Sequence, residues 1–143
     1  MRIRDVVAAK SEQKVITVSP GATVRELLAL LAEHNVGALV VSGDGATVDG
    51  IVSERDVVRR LHGNADLLGA TVDSIMTTDV HTCSADDQLD DLMSLMTQRR
   101  IRHVPVCEED RLVGIVSIGD VVKHKIDALQ FERDQLDSYV HQS

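Results

Sequence analysis

Gly50-Ile51-Val52-Ser53-Glu54-Arg55-Asp56 and Gly114-Ile115-Val116-Ser117-Ile118-Gly119-Asp120 share the pattern Gly-Ile-Val-Ser-x-x-Asp, 64 residues apart, and each continues into Val-Val. In a chain of 143 residues, so long a period means two copies of one structural unit. The duplication constrains fold and function together. Any site built from the motif occurs twice, related by an approximate two-fold.

The repeat extends beyond the motif. Val24, Leu27, Leu28 and Leu31 follow the i, i+3, i+4, i+7 spacing of one helix face, and Leu89, Leu92, Met93 and Met96 repeat it. Thr23 with Glu26, and Asp87 with Asp90, predict the helix starts, each placing a capping side chain three positions before an acidic residue. Ala38 to Val41 and Val104 to Val106 read as short buried strands. Val48 to Val52 and Leu112 to Val116 read as their hairpin partners, across Gly43-Asp44-Gly45 and Glu108-Glu109-Asp110. Gly43, Gly45 and Gly50 are read as turn glycines. A second helix is predicted to begin near Ser53 and near Ser117. The lead-in segments Ile3 to Val7 and Val72 to Met76 also correspond, with about four extra residues, Ser11 to Lys14, in the first copy. The expected fold is α+β: two β-α-β-β-α repeats related by a pseudo-two-fold, their sheets packed together, plus a C-terminal helix. The division expected is residues 1–60 for the first repeat, 61–71 for a linker, 72–123 for the second repeat and 124–143 for a helical tail, both repeats forming one module.

Composition excludes several function classes. A net charge of −8 argues against a nucleic-acid binder, which needs a basic face for phosphates. Phe131 and Tyr139 are the aromatic side chains, too few to stack the bases of a single strand. No stretch approaches the roughly 20 apolar residues of a membrane span, and the N-terminus lacks the apolar run of a secretory signal. A cytoplasmic protein is expected. Cys83 and Cys107 fit that compartment. Cys83 replaces Val18 of the first copy and reads as a small buried hydrophobe. No Cys or His pair has metal-ligand spacing, and no Ser-His-Asp order, metal cluster or activated nucleophile marks an enzyme.

Read in order, these features resemble a pair of CBS (cystathionine-β-synthase) domains, the tandem called a Bateman module, of the small stand-alone bacterial kind. The resemblance rests on the Val-x-x-Ile-Met lead-in at Val72 to Met76, Thr17-Val18-Ser19-Pro20, the amphipathic helices, Arg102-His103-Val104-Pro105-Val106 and the duplicated Gly-Ile-Val-Ser-x-x-Asp, and covers nearly the whole chain. It implies clefts between the copies for adenosine-containing ligands: AMP, ADP, ATP, NAD or S-adenosylmethionine. It implies Ser53 and Asp56 at one site, Ser117 and Asp120 at the other, with the Ser at phosphate and the Asp at ribose. Arg102 and His103 match the family's basic positions; Gly37 and Ala38 stand there in copy one. Arg55 takes the place of a base that reaches the opposite cleft. The better-charged cleft is therefore expected at Ser117 and Asp120. The resemblance further implies a homodimer, an effector protein, no required cofactor and no catalysis.

The chemistry has its own logic. An ionised carboxylate accepts both hydroxyls of a ribose through charge-assisted hydrogen bonds. A serine at a helix start presents its hydroxyl beside free N–H groups, and arginine adds bidentate phosphate recognition. Main-chain groups near Thr17 and Val18, or Thr82 and Cys83, are candidates for the adenine edge. In isolation Ser-x-x-Asp is also a capping-box variant; its duplication after identical strands, in a chain resembling a family that uses these positions for ligands, favours a ligand role. Arg99 and Arg100 read as helix-end charges facing solvent; His34, His62, His81, His124 and His141 read as surface residues. Along the tail, Val122, Ile126, Leu129, Leu136 and Val140 form a heptad-like stripe interrupted by Arg133. It packs on its own domain or on a second chain, and the resemblance, to a family that commonly forms homodimers, favours the second.

Overall fold

The computed structural model describes residues 1–10 and 15–141; the four-residue insertion of the first copy, Ser11 to Lys14, lies outside them. In chain order the elements are α1 (Ile3–Ala8), β1 (Thr17–Val18), α2 (Val24–His34), β2 (Ala38–Val41), β3 (Gly50–Ser53) and α3 (Glu54–Leu61). Two 3₁₀ turns follow, Leu67–Gly69 and Val72–Ser74, and then α4 (Leu89–Arg99), β4 (His103–Glu108), β5 (Arg111–Ser117) and α5 (Ile118–His141). The expected alternation of strand and helix is present. The two copies differ in their first strand. β1 pairs in parallel with β2, and β2 antiparallel with β3. In the second copy β4 and β5 form the hairpin, and the first strand shrinks to one parallel bridge between Cys83 and Val106.

Helix α2 starts as its sequence dictates. Thr23 Oγ1 accepts from the Glu26 N–H at 3.1 Å, and the Glu26 carboxylate accepts from the Thr23 N–H at 3.3 Å. Its end is Asn35, in the left-handed region at φ 51°. The matching cap at Asp87 and Asp90 does not form. Asp87 Oδ2 instead accepts from the Ser84 N–H at 2.8 Å, and Asp90 pairs with Lys125 Nζ at 3.0 Å. The physical reason is register: Gln88, not Asp87, is the N-cap of α4, and it makes no side-chain cap bond, while the Leu89 N–H donates to the Met1 carbonyl at 3.0 Å. In the first copy the Val24 N–H likewise donates to Ala70 O at 2.9 Å. Each amphipathic helix thus receives a carbonyl from the segment that leads into the other repeat.

The core follows the same exchange. One apolar cluster gathers Val18, Val24, Leu27, Leu31, Leu39, Val41, Val52 and Val57 with Leu67, Val72 and Ile75. The other gathers Leu89, Leu92, Met96, Val104, Val106, Val116 and Val121 with Ile3 and Val6. The packing units are therefore out of step with the sequence repeats: α1 completes the second repeat, and residues 67–76 complete the first. Gly50 shows what the exchange requires. It opens β3 and is not a turn glycine. A Cβ there would meet Met76 Sδ at 2.7 Å and the Thr77 carbonyl at 2.8 Å. The missing side chain lets Ile51 and Thr77 exchange two backbone hydrogen bonds of 2.9 Å. Gly45, at φ 79°, keeps its turn role.

Beyond Lys123 there is no break; α5 runs as one helix of 24 residues. Val122, Ile126, Leu129 and Leu136 are 47–65% exposed along it. Among the described residues, no helix is long and apolar enough to cross a membrane.

Candidate functional site

Both Ser-x-x-Asp motifs form the turn from strand to helix. Ser53 is the N-cap of α3. The Ser53 N–H donates to Asp56 Oδ2 at 2.8 Å, the Ser53 hydroxyl lies 3.2 Å from the same oxygen, and the Asp56 N–H donates back to Ser53 Oγ at 3.4 Å. Ser117 and Asp120 repeat the turn, with Ser117 N to Asp120 Oδ2 at 2.9 Å and Asp120 N to Ser117 Oγ at 3.1 Å. Capping is thus fully satisfied, as the bland reading of the motif requires. It uses one carboxylate oxygen of Asp56 and leaves Oδ1 outside these bonds.

Each turn opens onto a cleft, of about 550 Å³ beside Ser53 and Asp56 and about 490 Å³ beside Asp120. Both fall in the range of roughly 300–1,000 Å³ for small-molecule sites. Their membership departs from the expected grouping. Arg55, Arg102 and His103 line the Ser53/Asp56 cleft, not the Asp120 cleft. The strand register does put His103 beside Ser117. Its side chain, however, reaches across the pseudo-two-fold to Gly37, whose Cβ position lies 3.7 Å from His103 Cε1. The small Gly37 and Ala38 of the first copy make room for the basic pair of the second. A cleft therefore combines the Ser-x-x-Asp of one repeat with the strand opening of the other.

Arg100 joins this cleft, although its sequence position reads as a solvent-facing helix end. It closes α4 at φ 54°, ψ 41°, the left-handed geometry that Asn35 takes at the equivalent point. For a residue with a full side chain this costs roughly 1–2 kcal/mol. Within the described residues, none of the three guanidinium groups forms a salt bridge. Burial holds the His103 imidazole below its ordinary pKa; Lys10 and Arg102 push the same way, and Asp120 and Glu54 oppose them. The imidazole thus holds a proton less readily than a free one, beside three guanidinium groups outside any salt bridge among the described residues.

The Asp120 cleft is built differently. Lys10, Lys123, His34 and His124 line it, with apolar walls from Val15, Ile16, Val36 and Ile115. Sequence reasoning missed these residues, although Lys123 and His124 follow Asp120 by one helical turn and so share its face. Lys10 Nζ stands 2.9 Å from Asp120 Oδ2 and donates to the Ile115 carbonyl at 2.6 Å. Burial raises the pKa of the Asp120 carboxyl, but the Ser117 N–H and Lys10 outweigh it and hold the group below its ordinary value.

Of the remaining candidates, Ala38 lines both clefts and Val18, Thr82, Cys83, Val104 and Pro105 do not line them. Val18 and Val104 are core, Pro105 is buried and Thr82 exposed. The Cys83 backbone is engaged in pairing, its N–H with Pro105 O at 3.0 Å and its carbonyl with the Cys107 N–H at 2.9 Å. It cannot serve an adenine edge without breaking the strand. Val18 O likewise accepts from the Ser42 N–H at 2.9 Å. The walls come instead from residues just before Thr17 and Thr82: Val15 and Ile16 in one cleft, Val80 and His81 in the other. Burial raises the Cys83 thiol pKa to about 12, with Asp87 and Cys107 adding to it; an inert apolar role follows.

Two exchanged α+β repeats, with paired clefts between them, define a tandem cleft module. The CBS domain pattern matches residues 3–63 and again residues 72–127. The chain belongs to the CBS domain family. It is 33% identical over 113 residues to the CBS domain-containing protein YhcV of Bacillus subtilis, covering 79% of this chain and 80% of that one. The crystal structure of a CBS-domain containing protein from Agrobacterium tumefaciens superposes with a TM-score of 0.82 at 39% identity, over 87% of this chain and 99% of the other. The CBS domain pair of protein MJ0100, solved in complex with 5′-methylthioadenosine and S-adenosyl-L-methionine, superposes with a TM-score of 0.76 at 26% identity, over 86% and 98%.

Proposed function

We propose that this chain is a regulatory module, not an enzyme, that senses AMP, ADP, ATP or NAD in its clefts and passes the signal to an effector protein. One observation carries the reading: an Asp56 carboxylate with an uncommitted oxygen faces a cleft that holds Arg55, Arg100 and Arg102 without salt-bridge partners. A vicinal diol suits the first and a phosphate the second. The complex of MJ0100 with two adenosine-containing ligands supports the ligand class. The Ser53/Asp56 cleft is then the principal phosphate-binding one, the reverse of the expectation from sequence. Signalling requires that the ligand favour one arrangement of the repeats; tight binding alone shifts nothing.

We read the module as a homodimer. Val58 and Val122 occupy equivalent places two residues after the motif aspartates and are 68% and 47% exposed, and the α5 stripe adds to that surface. Mass spectrometry of small molecules released from protein purified without added nucleotide tests the ligand reading. The expected result is an adenosine compound in near-stoichiometric amount. Millimolar AMP, ADP, ATP and NAD should also raise the melting temperature, since a ligand at 100 times its Kd adds about 2.7 kcal/mol. No released nucleotide and no shift would leave a dimerisation module. A shift with S-adenosylmethionine alone would make the chain a sensor of that compound.

A further inference from the structure

We propose that Lys10 is a built-in counter-cation of the Asp120 cleft and makes that cleft selective for ligands carrying an anionic group beside a vicinal diol. The inference rests on the adenosine-ligand reading of the clefts. It begins from the one contact that separates the two motif aspartates. Asp56 has only its own capping turn as partner among the described residues. Asp120 also has Lys10, at 2.9 Å, and the two side chains are only 25–29% exposed. Lys10 is anchored from both sides. Its N–H donates to the Val7 carbonyl at 3.3 Å, at the end of α1, and its ammonium reaches the Ile115 carbonyl at 2.6 Å.

A neutral ribose brings two hydroxyl donors and no acceptor strong enough for an ammonium. Lys10 and the Ser117 N–H both contact Asp120 Oδ2, so a neutral diol that engages both carboxylate oxygens competes with the ammonium there and leaves Lys10 half-partnered at a largely covered site, a costly separation. A phosphate beside the ribose removes that cost. Lys10 turns from Asp120 to the phosphate, the diol takes the carboxylate, and every charge keeps a partner. Lys123 lines the same cleft and adds to the attraction for an anion. In the Asp56 cleft the carboxylate has no ion-pair partner among the described residues and the cations are Arg55, Arg100 and Arg102, so phosphate is drawn there directly and a neutral nucleoside has no pair to break. One cleft is gated by chemistry, and the other is open.

The test is calorimetry with AMP and with adenosine on Asp56→Ala protein, with Lys10 intact and with Lys10→Met. A cooperative thermal transition in each variant checks the fold. With Lys10 intact, AMP should bind at least about tenfold tighter than adenosine. Lys10→Met should bring the ratio below about threefold, with adenosine binding tighter and AMP weaker. Lys10→Gln, which keeps a donor for the Ile115 carbonyl, should do the same. An unchanged ratio in both variants, with AMP still bound, overturns the role of Lys10 and leaves the cleft reading standing. AMP binding lost on Asp56→Ala and not regained with Lys10→Met also overturns it. If wild-type protein takes up neither compound, the adenosine reading itself fails and the inference with it.

Discussion

A Cβ on Gly114 would stand 3.0 Å from Val7 Cγ1, so α1 lies directly on β5, a strand more than a hundred residues further along the chain. Gly50 stands in the same relation to Met76, at 2.7 Å. The duplicated glycine of the motif is therefore a seat for the exchanged segment. Gly50→Ala should destabilise the protein by about 1–3 kcal/mol through overpacking against a backbone carbonyl. Gly114→Ala should cost less, because it meets only the side-chain methyls of Val7. Urea midpoints of the two variants check the order; an equal or reversed cost would contradict it.

Arg100 holds a backbone geometry that glycine adopts without penalty. Arg100→Gly should therefore stabilise the unliganded fold, by up to about 1–2 kcal/mol. The same change removes a cation from the Ser53/Asp56 cleft and should weaken AMP binding about tenfold, the loss of one charge-assisted hydrogen bond. Melting temperature and calorimetry should move in opposite directions. A variant that binds AMP as tightly as the wild type would remove Arg100 from the ligand's surroundings, and one that loses stability would show that its side chain holds the fold.

Burial lowers the folded-state pKa of His103 from its ordinary 6.5. The unfolded chain then binds more protons than the native one between the two values. Stability should fall as pH drops below about 6.5 and level off below the folded value. His103→Gln should flatten that part of the melting curve against pH. Phosphate bound nearby should raise the His103 pKa and couple ligand uptake to proton uptake, read by calorimetry in buffers of different ionisation enthalpy. No proton uptake on AMP binding near pH 6.5 would remove His103 from the phosphate's surroundings.

Leu129 is 55% exposed on α5, and a charge there costs the single chain little. Leu129→Glu should keep the melting temperature of dilute protein within a degree or two and shift the sedimentation equilibrium toward monomer. Dimerisation at wild-type strength would place the interface elsewhere, on the repeats.

Much of the fold was legible because the chain states it twice. The periodicity of Val24 to Leu31 and Leu89 to Met96 placed α2 and α4, and the apolar runs placed β2 and β4. The exchange was not legible. Ile3 to Val7 and Val72 to Met76 announce themselves as equivalent segments, and nothing local says which core receives each. The cap predicted at Asp87 failed on register, since α4 starts one residue later, from Gln88, and the Met1 carbonyl that the Leu89 N–H reaches is 88 residues away. The site was half legible. Ser53, Asp56, Asp120, Arg55, Arg102 and His103 all belong to clefts, but their grouping depends on which way His103 points across the pseudo-two-fold. Lys10 gave no signal at all, since its role comes from distance in space and not from spacing in sequence.

All of the first core lies within residues 16–76, whereas the second needs Ile3 and Val6 together with Val121. On a ribosome this sets an order. The first repeat has every piece it requires once residue 76 is made. Ile3 and Val6 are made before the first core and find their place after it. At about 5–20 residues per second, the 118 residues between Ile3 and Val121 take roughly 6–24 s to appear. Through that interval α1 trails from a finished half-protein with its apolar face unmatched. Helix α1 is then the clasp that closes the module, and bulk crowding Met1, whose carbonyl caps α4, would act at that last step of assembly.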